Sequence, residues 1–323
     1  MSRLTVQTLL AADFAAEALR ADVARGLTST PKTLPPKWFY DARGSALFED
    51  ITRLPEYYPT RAEAEILAAR AGDIAAATGA ESLVELGSGS SEKTRLLLDA
   101  LEAAGTLRCY VPVDVSESAV LAASRVLLAD YPDLEVHALV ADFEQHLDRL
   151  PALGRRLVAF LGGTIGNLEP EQRAHFLTEV RSGLAASDAL LIGVDLVKSP
   201  QVLLPAYDDA SGLTAAFNKN VLRVVNRELD ADFCEESFTH VAVWDEAASW
   251  VEMRLRSVRE QSVKVQALRL VVDFAEGEEM RTEISAKFTR ERVRTELTAA
   301  GLALREWWTD AAQRFALCLS APS

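Results

Sequence analysis

Apolar residues recur along this chain with two periods, and where one gives way to the other marks its organisation. Over residues 8–27 they fall at helical spacing (Leu9, Leu10, Phe14, Leu19, Val23), and the run stops at Gly26. Thr60 and Glu63 read as a capping box opening a helix to about residue 78. Short apolar runs and amphipathic segments then alternate: the run around Leu83, Val84 and Leu86, a helix over 91–104, a strand over 108–114, a helix over 117–130, strands over 134–141 and 155–161, a helix over 170–184 and a strand over 188–195. That order predicts an α/β fold, with a doubly wound, mostly parallel sheet covered on both faces and ligands at the carboxyl ends of its strands.

The pattern breaks after Asp195. Two helices come first, Tyr207 on one and residues 213–229 forming the other. The runs VEMRLRSV, VKVQALRLVVDF and MRTEISAKF then alternate polar and apolar, as half-exposed antiparallel strands do. Thr289 caps a helix to about residue 300, and EWWTD and FALCLSA return to the main sheet as strands. An aromatic, proline-punctuated stretch, KTLPPKWFYDARGSALFEDITRLPEYYPTR, reads as loop with a short helix over 45–52. The expected division is a core of 62–196 plus 287–323, and a smaller α+β domain of 1–61 plus 197–286 that binds substrate.

Composition narrows the partners. Among 323 residues, 34 Lys and Arg stand against 48 Asp and Glu, a formal net charge of -14 that repels a phosphate backbone, so no nucleic-acid partner is expected. No apolar run reaches membrane-span length, and the N-terminal stretch lacks the basic-then-apolar order of a signal peptide, so a cytoplasmic location is expected; a monomer is taken as the working form. Cys109, Cys234 and Cys318 are isolated and the four histidines scattered, which suits a reducing compartment and argues against a metal site.

The chemistry centres on ESLVELGSGSSEKT, a buried strand running through a glycine turn into a helix. Gly87 and Gly89 can take positive φ or admit a ligand to the backbone, although two glycines can also simply end a strand. Glu92 occupies the third-glycine place of a dinucleotide fingerprint, and Glu85 precedes the turn. Those acids disfavour a pyrophosphate and suit a cationic adenosyl ligand. The next strand, RCYVPVDVS, ends in Asp114 at about the spacing where an acid takes ribose hydroxyls, unless it only caps the following helix. EVHALVADF ends in Asp142 and Phe143, a carboxylate for an adenine amino group beside a flat apolar wall. RRLVAFLGGTIGNLEP ends in a glycine-rich polar turn holding Gly162 and Asn167. Glu283 and Ser285 stand two apart on one strand face, a pairing that plain solvent exposure also explains.

Together these endings resemble the class I S-adenosylmethionine-dependent methyltransferases, whose core is Rossmann-like. PPKWFYDARGSALFEDITRLPEYYPTR, VELGSGSSEKTRLLLDAL, FLGGTIGNL, YDDASGLTAAFNKNVL and GEEMRTEISAKF narrow the resemblance to the histidine-specific Nα-methyltransferases of ergothioneine biosynthesis, over nearly the whole chain. The resemblance implies that Gly87, Lys93, Asp114, Asp142 and Phe143 hold S-adenosylmethionine, released as S-adenosylhomocysteine. It implies that Tyr57, Gly162, Asn167, Tyr207, Met253, Glu283 and Ser285 hold L-histidine, with Tyr40 and Phe48 near the reacting amine and Tyr40 and Asn167 in the catalytic role. The implied product is the trimethylated betaine hercynine, with no metal involved.

Three rival readings remain at this stage. A methyltransferase of the same build could act on another small amino acid or amine, a nicotinamide-dependent oxidoreductase could use the same strand-turn-helix, and a binding protein could use the site without chemistry.

Overall fold

In the computed structural model, which describes residues 3–323 apart from 12, 90 and 92, the chain divides into two units. One takes Met1–Leu10, Pro59–Val197 and Phe288–Ser323, the other Ala11–Tyr58 and Lys198–Lys287. In chain order the elements begin with β1 (Leu4–Thr8), α1 (Phe14–Thr28), α2 (Ala42–Thr52), α3 (Pro59–Thr78), β2 (Ser82–Leu86), α4 (Thr94–Ala103), β3 (Cys109–Asp114) and α5 (Glu117–Asp130). There follow β4 (Glu135–Val140), β5 (Arg156–Phe160), α6 (Pro170–Gly183), β6 (Ala189–Asp195), α7 (Pro200–Leu203), α8 (Leu213–Leu229) and β7 (Phe238–Asp245). The rest are β8 (Trp250–Ser257), β9 (Gln261–Val265), β10 (Leu270–Phe274), β11 (Glu279–Ala286), α9 (Arg290–Ala299), β12 (Leu302–Thr309) and β13 (Phe315–Pro322).

The first unit is built on one eight-stranded sheet in the order β1-β4-β3-β2-β5-β6-β13-β12. Pairings from β1 through β6 are parallel, and β13 and β12 add an antiparallel edge. Every residue of β2, β5 and β6 is buried, as parallel strands covered on both faces require. Leu191 points to the side where Ile66, Leu67 and Ile74 of α3 meet Leu97 and Leu101 of α4. Its neighbour Ile192 points the other way, toward Leu177 of α6 and Val293 and Leu297 of α9. The sheet is thus doubly wound, and strand order reverses beside β2.

The N-terminus departs from expectation. Residues 8–27 do not form one helix: α1 starts at Phe14, and Leu4–Thr8 pairs in parallel with β4, Leu4 opposite Val136 and Thr8 opposite Val140. Residues 3–10 therefore belong with the sheet rather than with the second unit, because β4 otherwise presents a row of backbone groups that need partners. Val197 stays with the first unit through its amide bond to the Phe288 carbonyl. Lys287 stays with the second through its amide bond to the Ser249 carbonyl.

In the second unit β11, β8 and β7 form a three-stranded antiparallel sheet, and β9 and β10 a hairpin. Phe217, Val221 and Val225 of α8 pack with Leu19 and Val23 of α1, Met253 and Leu255 of β8, and Met280. Two fully buried asparagines pin α8. Asn218 bonds His240 at 2.8 Å and accepts from Thr282 at 2.6 Å, while Asn220 donates to the Phe39 carbonyl at 3.0 Å and to Asp41 at 2.8 Å. Asp41 in turn caps α2, accepting from the Gly44 amide at 2.9 Å.

Candidate active site

In the first unit the side chains singled out from sequence collect at the carboxyl ends of β2, β3, β4 and β5. The chain leaves β2 through Gly87 (φ 69°), Ser88 and Gly89 (φ 49°), and the Gly87 amide bonds the Val113 carbonyl at 2.8 Å, folding the turn over the end of β3. Asp114, last residue of β3, accepts from the Gly89 amide at 3.1 Å and from Ser116 at 2.9 Å. It therefore both steadies the glycine turn and leads into α5, whose cap is Ser116. Asp142 lies just past β4, takes the Glu144 amide at 2.9 Å, and is 9% exposed. Phe143 stacks edge-on against Phe160, ring centres 5.1 Å apart. Gly162 and Gly163, both left-handed, turn the chain after β5 into a single 3-10 turn holding Asn167.

Two acids sit differently from expectation. Glu85 does not face the turn's open side: it is buried, accepting from Tyr110 and Thr94, and burial lifts its carboxyl to about 7 against bonds and a Lys93 charge that pull the other way. Its side chain follows the pleat of β2 into the layer beneath the turn. Glu63 is no capping residue. Fully buried, it accepts from the Gly162 amide at 2.7 Å and pairs with the Lys93 ammonium. Glu92 and Ser90, the other residues on which the turn was read, lie outside the described residues.

In the second unit a cluster of aromatic rings gathers around α8. Tyr40 meets Phe48 and Phe217 with ring centres 5.5 and 5.2 Å apart, and Phe48 meets Tyr57 at 6.0 Å. Tyr40's phenol is held well above its ordinary value, by desolvation first and then by Glu283, Tyr57 and Tyr207. Half of Tyr40's surface is open, so the proximity of Glu283 is the part of that shift that bears on the site. Tyr207 stands just past a 3-10 turn that follows α7 rather than within a helix, because Pro205 disrupts the helix there. Its hydroxyl lies 2.7 Å from that of Ser285.

On β11 a bulge falls between Arg281 and Glu283: Arg281 pairs with Arg254 and Glu283 already with Met253, leaving Thr282 as the extra residue. Thr282 is buried and donates to the Met253 carbonyl at 3.0 Å, which fixes the bulge and brings Glu283 opposite Met253.

Sequence reasoning missed Lys287. It is fully buried, donates to Tyr207 Oη at 2.7 Å and Ser285 Oγ at 2.8 Å, and lies 4.6 Å from the Tyr207 ring centre. Its place two residues beyond Ser285, on the same strand face, was the available signal. Phe217, the hub of the aromatic cluster, was hidden within an ordinary amphipathic helix.

A family described as histidine-specific, SAM-dependent methyltransferase matches residues 19–322. The chain belongs to that family. The histidine N-alpha-methyltransferase of Mycolicibacterium smegmatis is 57% identical over 317 residues, covering 98% of this chain and 99% of that protein. The protein of the same name from Mycobacterium tuberculosis is 54% identical over 319 residues, 99% of each chain. Ergothioneine biosynthesis protein 1 of Neurospora crassa is 31% identical over 288 residues, 86% of this chain and 32% of that longer one.

For a histidine-specific methyltransferase the group to be accommodated is an adenosyl donor, and the first unit has the donor set for it. A side chain added at Gly89 would meet open space, and one at Gly87 would come 3.9 Å from the Phe143 ring, so the turn offers bare backbone beside an aromatic edge. Among the described residues Ser88 Oγ is buried without a hydrogen-bond partner, a cost of about 1–3 kcal/mol that a polar ligand would relieve. Asp114 and Asp142 are oriented by backbone amides and retain lone pairs to accept hydroxyl and amino protons. Among the described residues no cluster of His, Cys, Asp and Glu is arranged to hold a metal ion.

Proposed function

We propose that this methyltransferase transfers methyl groups from S-adenosylmethionine to the α-amino nitrogen of L-histidine, three times in succession, giving hercynine in ergothioneine biosynthesis. The observation that carries the reading of substrate is the pair on β11: Glu283 as acceptor and Ser285 as hydroxyl, on one strand face with Met253 opposite Glu283, match the two unlike nitrogens of an imidazole ring. When bound, the cofactor supplies an electrophilic methyl on a sulfonium and leaves as S-adenosylhomocysteine.

Gly87, Asp114, Asp142 and Phe143 are proposed to seat the adenosyl end, with Lys93 at its amino-acid end. Gly162 and Asn167 contribute to the histidine site, and the Asn167 amide oxygen accepts from the substrate amine and so aims its lone pair. Tyr57, Phe48 and Tyr207 hold the rest of the amino acid. The enzyme's work is to align a neutral amine and exclude water. An α-amine with a pKa of roughly 8 is mostly protonated at neutral pH, and the first two products must each lose a proton before reacting again. Tyr40 stays a neutral phenol over that range, which suits relay through its hydroxyl rather than service as a phenolate base.

The working form is proposed to be a cytoplasmic monomer that uses no metal and binds neither nucleic acid nor membrane. Its net charge of -14 and its isolated cysteines support this, and no helix among the described residues is long and apolar enough to cross a membrane.

The test is mass spectrometry of L-histidine incubated with the purified protein and S-adenosylmethionine, beside a panel of other amino acids and small amines. Mono-, di- and trimethylated histidine should accumulate. A mass gain on another amine and none on histidine would overturn the substrate assignment.

A further inference from the structure

Glu63 has no part in the roles proposed above, yet it is among the most constrained polar side chains of the first unit. It lies in the first turns of α3 and is 0% exposed. One carboxylate oxygen takes the Gly162 amide at 2.7 Å, and the other takes the Lys93 ammonium. The room it occupies exists because residue 193 on β6 is glycine: a Cβ there would sit 2.2 Å from Glu63 Oε1. Four stretches, α3, the start of α4, the turn after β5, and β6, therefore converge on one carboxylate. A buried charge costs several kcal/mol unless paired, so the site retains Glu63 only with its cation in place.

The pairing has an electrostatic consequence. A lysine beside a ligand that carries a sulfonium and an α-ammonium against a single carboxylate adds like charge to a net cation. Glu63 cancels it, while leaving the remaining ammonium protons of Lys93 to donate elsewhere.

We infer that Glu63 is a positioning residue that neutralises Lys93 and ties it to the Gly162 turn, so that the unit accepts the cationic methyl donor as readily as its uncharged product. This rests on the first unit binding S-adenosylmethionine, as proposed above.

The test measures calorimetric affinities of both S-adenosylmethionine and S-adenosylhomocysteine for the wild type and for Glu63→Gln, which preserves shape and can still accept from Gly162. The donor should weaken relative to the product by about threefold or more, since only the donor carries the extra positive charge. Restoring the wild-type ratio in Glu63→Gln combined with Lys93→Met would show that the effect runs through the lysine. If Glu63→Gln does not fold, Glu63→Ser, which admits water beside Lys93, leaves the same uncancelled ammonium and should shift the ratio in the same direction. An unchanged ratio in whichever variant folds overturns the inference alone. A wild type that binds neither ligand overturns the cofactor reading, and this inference with it.

Discussion

Glu85 lies buried in the layer beneath the glycine turn, and that desolvation gives it a pH signature. Burial lifts its carboxyl to about 7, so between pH 4.5 and 7 the unfolded chain has lost a proton that the folded one keeps, and stability falls as pH rises through that window. Glu85→Gln should therefore be more stable than wild type above pH 7, by on the order of 3 kcal/mol, and the two should converge toward pH 4.5. Thermal melts across that range check it; parallel curves would refute the assignment. At the other site, Glu283→Ala should raise the KM for histidine at least about tenfold with a smaller effect on kcat, as loss of a ground-state contact predicts. An unchanged KM in steady-state assays removes the basis for imidazole recognition. Residues that end a strand or punctuate a turn, such as Asp114, Asp142 and Gly162, were legible because position along the chain alone announces them. Lys287 was not, since a lysine in an alternating run reads as solvated until tertiary packing buries it; Glu63, read as a capping-box partner from its spacing to Thr60, is taken up instead by Lys93 and the Gly162 amide, which that spacing does not record.

Among elements, α2 shows how one cap can organise a region. Burial alone would raise the Asp41 carboxyl, but the Gly44 amide, Arg227 and Asn220 hold it below the usual range. Its stabilising share is thus present above about pH 4 and is lost as pH falls further. Asp41→Ala removes the helix cap and should cost about 1–2 kcal/mol, read as a lower midpoint in urea at neutral pH. The periodic elements, α5, α6, α8 and the buried strands, were read close to their true bounds. The bulge at Thr282 was not, because nothing in MRTEISAKF departs from simple alternation; the extra residue is specified by the partners waiting for it, Asn218 and the Met253 carbonyl. The strand Leu4–Thr8 escaped for a related reason. Only its first residue is half-buried, so no core-facing pattern marks it, and its pairing is dictated by the edge of β4.

For the whole molecule, ligand binding should appear as stability. S-adenosylhomocysteine at a hundred times its Kd should stabilise the protein by about 2.7 kcal/mol. NADH should leave the melting temperature unchanged, and stabilisation by NADH alone would return the oxidoreductase reading. The alternation of strands and helices made the doubly wound sheet legible, and the change of period after Asp195 exposed the inserted strands. Hidden from it was that Leu4–Thr8 pairs with β4, so that the chain passes between the units once more than the pattern marks. That discontinuity bears on how the protein is made. The strand β13 lies between β6 and β12, and Cys318 bonds across to Ile192, 126 residues earlier. A ribosome thus releases all of Ala11–Tyr58 and Lys198–Lys287 while β6 still has an unpaired edge. In nascent chains arrested past α9, protease resistance should arise first in the later-inserted segments, and the large sheet, although begun earliest, should be the last to close.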